Sequence, residues 1–319
     1  MPVSREFLED CAQSTAHRAT TLEKVVRLGD IAHEIHRHPS LGVQLALKGG
    51  TALNLCPGPP DRLSVDLDFN FVGCADRAGM HEARPTLEGS LRALLQRLGY
   101  RVQWSPDAAA SRKIFASYRS TYGPTDRIEV DLNYLWRIPL AGLQHATLWQ
   151  PGALERPNVV MVSTEELWVG KLLAFLDRSA PRDAWDVLRL GKSLDVTQPT
   201  GPLRRWLIAM SIILDRPLDH YGRDHIMGRL TASAIESQLH PMLRVDCRPD
   251  PAALAEAAWQ VATMLLSPTP AEAEFLRLAM SGILAPQLVF GDDTEASARF
   301  LAHPQVAWKM RNVRLHLGP

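Results

Sequence analysis

No stretch of this sequence is long and apolar enough to cross a bilayer. The longest apolar run, from Trp206 to Leu214, falls well short of the roughly 20 residues a spanning helix needs. The opening residues carry an acid by Glu6 and no apolar core of the kind a secretory leader requires. Net charge is missing as well: 35 basic and 35 acidic residues cancel, so no whole-molecule field draws in nucleic acid, and any RNA contact must come from local patches. Cysteine is scarce. Cys11, Cys56, Cys74 and Cys247 have neither C-x-x-C spacing nor a pairing with histidine, which argues against a metal finger and predicts reduced thiols. Repeats, low-complexity tracts and heptads are lacking too. What remains is a chain of 319 residues, 46% apolar, enough to bury a full core in two lobes and expected to be a soluble, cytoplasmic protein with no membrane partner.

The informative stretch runs from Gln44 to Phe71. A short apolar run, Leu45-Ala46-Leu47, leads through Lys48-Gly49-Gly50-Thr51 into Ala52-Leu53-Asn54-Leu55, and strict alternation follows from Leu63 to Phe71. Leu63, Val65, Leu67, Phe69 and Phe71 take one face of a strand; Ser64, Asp66, Asp68 and Asn70 take the other. Residues two apart on a strand are roughly 6.5 Å apart at Cα, so both carboxylates can converge on a divalent cation. Without a cation the pair repels itself; a solvated edge strand is the plainer alternative. Paired glycines between strand and helix let backbone N–H groups close on an anion, with Lys48 before them and Ser64 on the aspartate face. Fifteen residues, 51 to 65, separate the glycines from Asp66, room for a short helix and a turn at Pro57-Gly58-Pro59-Pro60.

A glycine pair, a gap, a carboxylate-x-carboxylate strand and a later third carboxylate resemble the DNA polymerase β-like nucleotidyltransferase superfamily. Lys48-Gly49-Gly50-Thr51-Ala52-Leu53 followed by Arg62-Leu63-Ser64-Val65-Asp66-Leu67-Asp68 is similar, more narrowly, to the AbiEii/AbiGii toxin family, which includes the MenT-type toxins of type IV toxin–antitoxin systems. Leu22-Glu23-Lys24 resembles that family's leading helix, and the His303–Met310 stretch its C-terminal pattern. The resemblance implies an α+β fold in which a small mixed sheet flanked by helices is followed by an all-α C-terminal lobe. The expected division is residues 1–160 for the nucleotidyltransferase lobe with its leading helix and 161–319 for the helical lobe.

Taken in order, residues 4–38 read as helical, with His38-Pro39 ending the pattern. His33, His36 and His38 lack a completing cysteine or carboxylate and read as a solvated cluster. Residues 73–84 look polar and broken, and Leu87, Leu91, Leu94, Leu95 and Leu98 then define a helix closed by Gly99. Strands follow at 101–104, 113–118 and 127–135. In the last, Glu129, Asp131 and Asn133 alternate with Ile128, Val130, Leu132 and Tyr134, and Asp131 is the expected third metal carboxylate with Glu129 its rival. Between Arg92 and Arg137 eight basic residues meet four acids, a local excess that could guide an RNA or a triphosphate.

Ser163-Thr164-Glu165-Glu166 has the form of a capping box. In the helix it opens, Lys171 stands four residues from both Leu167 and Phe175, placing an ammonium on an apolar face. Such a charge either snorkels to water or meets an anion such as a triphosphate. Ser179-Ala180-Pro181 breaks the chain before a second helix carrying Arg182, Asp183 and Asp186. By resemblance Lys171 matches the family's catalytic lysine and Asp186 its later aspartate, with Asp183 grouped with the nucleotide-binding Lys48, Gly49, Gly50 and Ser64. The remainder reads as helical, punctuated by prolines including Pro199-Thr200-Gly201-Pro202.

The implied activity is transfer of NMP from an NTP, with Mg²⁺ or Mn²⁺ on Asp66, Asp68 and Asp131, to an RNA acceptor, tRNA in particular. The implied biology is growth inhibition countered by a separately encoded antitoxin protein. Transfer to a protein or a small molecule such as an aminoglycoside is the alternative within the same fold. A non-catalytic nucleotide-binding module is the third reading, disfavoured because a mere binder need not keep both metal carboxylates.

Overall fold

The computed structural model describes residues 3–56, 58–193 and 201–317; Pro57, Pro199 and Thr200, read above as turn residues, lie outside them. Two compact units are built from the chain. The first comprises Met1–Arg137, Gly142–Val162 and His240–Cys247; the second comprises Ile138–Ala141, Ser163–Leu239 and Arg248–Pro319. The late segment belongs to the first unit because hydrogen bonds stitch it there: Leu63 N donates to Met242 O at 2.7 Å, and Val245 N to Ala16 O at 2.7 Å.

The helical stretch expected over residues 4–38 is built as two helices. α1 (Arg5–Thr15) is N-capped by Ser4, which accepts from Phe7 N, and α2 (Ala19–Arg37) ends at His38. The break is local chemistry. Ser14 and Thr15 hydroxyls bond back to Cys11 O, drawing on the carbonyl, and Ala16 turns left-handed at φ 57°. α2 buries Leu22, Val25, Leu28, Ile31 and Ile35 against the sheet.

After α2 come β1 (Leu45–Lys48), α3 (Gly49–Leu55) and β2 (Asp66–Phe71). α4 (Arg77–Arg97) begins ten residues before the Leu87 repeat, because Asp76 caps it by accepting from Gly79 N at 2.8 Å. Pro85 is carried inside it. β3 (Arg101–Trp104), β4 (Ser111–Arg119), β5 (Thr125–Asn133), β6 (Leu143–Thr147) and β7 (Asn158–Val162) complete a seven-stranded mixed sheet in the order β3-β4-β5-β2-β1-β7-β6. β2 is its central strand and not an edge. It runs antiparallel to β1 and parallel to β5. Leu67 and Phe69 of β2, Ile128, Val130 and Leu132 of β5, and Ile114 and Ala116 of β4 form one buried face, which leaves their alternating neighbours on the other.

The second unit is helical. α5 (Thr164–Arg178), α6 (Pro181–Ser193) and α7 (Pro202–Ser211) are followed by shorter and longer helices through Pro304–Leu317. Ser163 caps α5 by accepting from Glu166 N at 3.2 Å, while the Glu166 carboxylate accepts from Leu140 N at 2.7 Å. All four cysteines are free thiols.

A buried carboxylate pins the β4–β5 turn in the first unit. Glu23 accepts from the Ser120 hydroxyl at 2.7 Å and Thr121 N at 3.0 Å, and pairs with Arg27 at 2.9 Å. Burial alone would raise its pKa, but these donors bring it net below the ordinary value. Glu23→Ala strands Arg27 and both turn donors, so urea unfolding should show a loss of about 3 kcal/mol; an unchanged midpoint would mean the turn docks without it.

Candidate active site

β1 ends with Lys48 in extended backbone, and Gly49 then turns left-handed at φ 69°, a conformation an L side chain rarely adopts. Contact reinforces the requirement. A Cβ at Gly49 would lie 2.2 Å from Asp68 Oδ2, and one at Gly50 would lie 2.9 Å from Ser64 Oγ and 3.2 Å from Arg62 Nη2. The glycines are therefore packed directly against the aspartate face. Thr51 Oγ1 donates to Asp66 O at 2.5 Å, fixing the start of α3 to β2. Arg62, which opens the Arg62–Asp68 motif, is fully buried in this corner, with Nη1 donating to Leu63 O at 2.9 Å.

Strand register collects the charges. Asp68 stands abreast of Asp131 and Asp66 abreast of Glu129 on the parallel β2–β5 pair. Lys48 flanks Asp68 from β1, and Lys113 flanks Asp131 from β4. Four strands thus contribute one row, Lys48–Asp68–Asp131–Lys113. Lys113 Nζ lies 3.7 Å from Asp131 Oδ2 and 3.8 Å from Glu129 Oε2, and Arg127 donates to Glu129 Oε1 at 2.8 Å. Burial first, and the Asp68 charge second, raise the Asp131 pKa above the usual carboxylate value, with Lys113 and Lys48 offsetting part of the rise. Sequence reading missed Lys113. Its parity with Phe115 against inward Ile114 and Ala116 was visible, but its pairing partner was not.

The row suits a hard divalent cation in its donors, which are all carboxylate oxygens. Among the described residues no three His, Cys, Asp or Glu side chains already converge into an ion-holding group. Mg²⁺ commonly takes one or two carboxylates and completes its shell with water and substrate phosphates. Asp68 and Asp131, abreast beside a turn that has no side chains of its own, fit that requirement. Between the two candidate third carboxylates, Asp131 adjoins Asp68, whereas Glu129 is held by Arg127.

Part of the basic excess of residues 92–137 is matched within the chain. Arg97 pairs with Glu34, Arg112 with Asp107 and Glu88, and Arg127 with Glu129.

In the second unit, Ser179 turns left-handed at φ 47° after α5, so α6 starts at Pro181 and doubles back on α5. That return places Lys171 Nζ 2.9 Å from Asp183 Oδ1 and 3.0 Å from Asp186 Oδ2. The ammonium neither snorkels to water nor waits for an external anion: it is 9% exposed, between carboxylates exposed by 1% and 0%. Arg178 completes the cluster, donating to Asp183 at 2.6 and 3.1 Å. It lies seven residues after Lys171, on the same helical face, a spacing that could have revealed it. Two cations and two anions balance. Burial would raise the Asp183 pKa, but the Lys171 charge and the Arg178 hydrogen bonds outweigh it and hold the carboxyl at about 2.

A mixed sheet that sets a glycine turn against a central carboxylate-x-carboxylate strand, with a further carboxylate on the parallel neighbour, is nucleotidyltransferase architecture. Residues 36–224 match the family model described as nucleotidyl transferase AbiEii toxin, type IV toxin–antitoxin system, and the chain belongs to that family. Its structure is similar to that of MenT4, a nucleotidyltransferase toxin from Mycobacterium tuberculosis H37Rv, with a TM-score of 0.65 over 94% of this chain and 99% of that one. At 16% identity the likeness is one of fold. No curated protein matches the chain. No helix among the described residues is long and apolar enough to cross a membrane.

The Asp183 pKa makes a stability prediction with a definite sign. A folded pKa of about 2 against an unfolded value of about 3.9 stabilises the fold above the unfolded pKa, and that stabilisation drains away as pH falls from about 4 through 2. Asp183→Asn should therefore cost on the order of 2–3 kcal/mol in urea at pH 7 and much less near pH 2. Equal losses at both pH values would show that the ion pair is not what stabilises this corner.

Proposed function

We propose that this toxin-family chain transfers an NMP from an NTP to an RNA acceptor, tRNA foremost, using Mg²⁺ or Mn²⁺, in the cytoplasm, and that a separately encoded antitoxin protein opposes it. The observation that carries the reading is Asp68 abreast of Asp131 on the central strands, with Gly49 against the Asp68 carboxylate and Lys48 beside it.

Asp66, Asp68 and Asp131 are the residues that would hold the metal, which when bound neutralises triphosphate charge and polarises the α-phosphoryl group. Lys48, the Gly49-Gly50 backbone and Ser64 receive the phosphates. The seven-residue α3 is too short for its dipole to carry this, so the Lys48 charge and the close backbone do. The acceptor hydroxyl oxygen bonds to the α-phosphorus as the bond to the β-phosphate bridge breaks, and pyrophosphate leaves. The hydroxyl proton is lost to solvent, and Asp131 stays with Asp66 and Asp68 as a residue that would hold the cation. The family resemblance puts Lys171 and Asp186 in the catalytic set and Asp183 with the nucleotide-binding residues, roles in which each would have to give up buried pairings it makes in this structure.

The test is to incubate the protein with each α-labelled NTP, Mg²⁺ and total RNA. Label should enter RNA of tRNA size and vanish on chelation. A folded Asp68→Ala variant should lose transfer by at least a hundredfold, the scale expected when charge stabilisation at the reacting phosphorus is removed. Wild-type turnover in that variant would sink the metal assignment, and label in protein instead of RNA would sink the acceptor.

A further inference from the structure

The carboxylate row has a cation at each end, and one of them is held loosely. Lys113 lies 3.7 and 3.8 Å from Asp131 and Glu129, longer than a direct hydrogen bond, and its side chain is 50% exposed. Ion pairs of that exposure contribute little and exchange readily. Lys171 offers the contrast within the same chain, seated at 2.9 and 3.0 Å between two buried aspartates.

We propose that Lys113 is a resident counter-cation of the nucleotidyltransferase site: it matches Asp131 and Glu129 until metal and nucleotide arrive, and then moves to a phosphate oxygen of the triphosphate. This rests on the carboxylate row being the metal and nucleotide site. The physical reason is competition. An ammonium beside Asp131 repels a divalent cation, so the apo chain binds metal weakly. A metal–triphosphate brings its own anion, which gives the ammonium a new partner and removes the penalty. Metal and nucleotide therefore enter cooperatively, and Lys113 is a positioning residue of this cycle. The half-exposed stem can swing at little cost to the sheet, since the buried side of β4 is carried by Ile114 and Ala116.

The experiment compares wild type with Lys113→Met, Lys113→Gln and Lys113→Arg. Free Mn²⁺ is followed by electron paramagnetic resonance without nucleotide, and binding of each α,β-methylene NTP is followed by calorimetry at saturating Mn²⁺. Met and Gln should bind Mn²⁺ alone about tenfold more tightly and the analogue about tenfold more weakly, as expected when one charge within about 4 Å is removed. Arginine should restore both values toward wild type. Mn²⁺ affinity that is unchanged or weaker in Met and Gln, or analogue binding that is unchanged, overturns the role of Lys113. Asp68→Ala is run alongside. If it binds Mn²⁺ as wild type does, the metal reading of the row fails and this proposal falls with it. If it loses Mn²⁺ while Lys113→Met behaves as wild type, only the lysine's role is wrong.

Discussion

Everything in the first unit hangs on the placement of β2 between β1 and β5. Because successive side chains on a strand alternate faces, one register decides which residues are core and which meet at the site. Leu67 and Phe69 are buried, which obliges Asp66 and Asp68 to the opposite face, and parallel pairing with β5 puts Glu129 and Asp131 beside them. A slip of one residue would bury carboxylates and expose phenylalanine, so packing and chemistry enforce the same pairing. The cost is electrostatic: four carboxylates share one face. The fold meets it partly with Lys48 and Lys113 at the ends of the row; burial first, and the Asp68 charge second, still leave the Asp131 pKa raised.

The Gly49 turn is the second half of the same constraint. Asp68 lies so close to the backbone that no Cβ fits, and the left-handed φ excludes ordinary residues independently. The backbone thereby approaches the carboxylate row without intervening side chains, which is what a phosphate-bearing substrate needs on that side. Gly50 serves differently. It makes room for Ser64 and the buried Arg62, so the two glycines answer to different neighbours.

Much of this was legible in the sequence because it follows local periodicity. The alternation from Leu63 to Phe71, that of Ile128 to Tyr134, and the Lys48-Gly49-Gly50 turn are patterns within one element or its edge. What escaped depends on partners distant in the chain. Lys113 acquires meaning only through its pairing with Asp131, and β6 and β7 show no alternation to detect, being polar and continuously apolar in turn. The helix break at Ala16 escaped because the hydrophobic spacing continues across it, while side-chain hydroxyls competing for Cys11 O end the helix. α4 starts early because Asp76 caps it, although its first turns lack the leucine repeat. For Lys171, the ammonium on an apolar face read as snorkelling to water or meeting a triphosphate; the return of α6, which periodicity does not show, supplies Asp183 and Asp186 instead.

The two lysines show how burial divides the work charge can do. Lys171 has two buried aspartates, one of them shared with the exposed Arg178, and removing Lys171 leaves buried negative charge uncompensated at a cost of several kcal/mol. Such a group responds to a ligand only if the ligand replaces what it gives up, so its first contribution is to fix α6 against α5. Loss of activity in a Lys171 variant therefore confounds lost chemistry with a loosened helix pair, unless stability is measured on the same protein. Lys113 is the reverse case. Its pairing is weak, its stem is half in water, and its carboxylates are the ones a metal would claim. A loosely held cation beside a crowded anionic row can yield to a stronger one at small cost, and in this fold that makes the exposed lysine, not the buried one, the better candidate for a group that moves during the cycle.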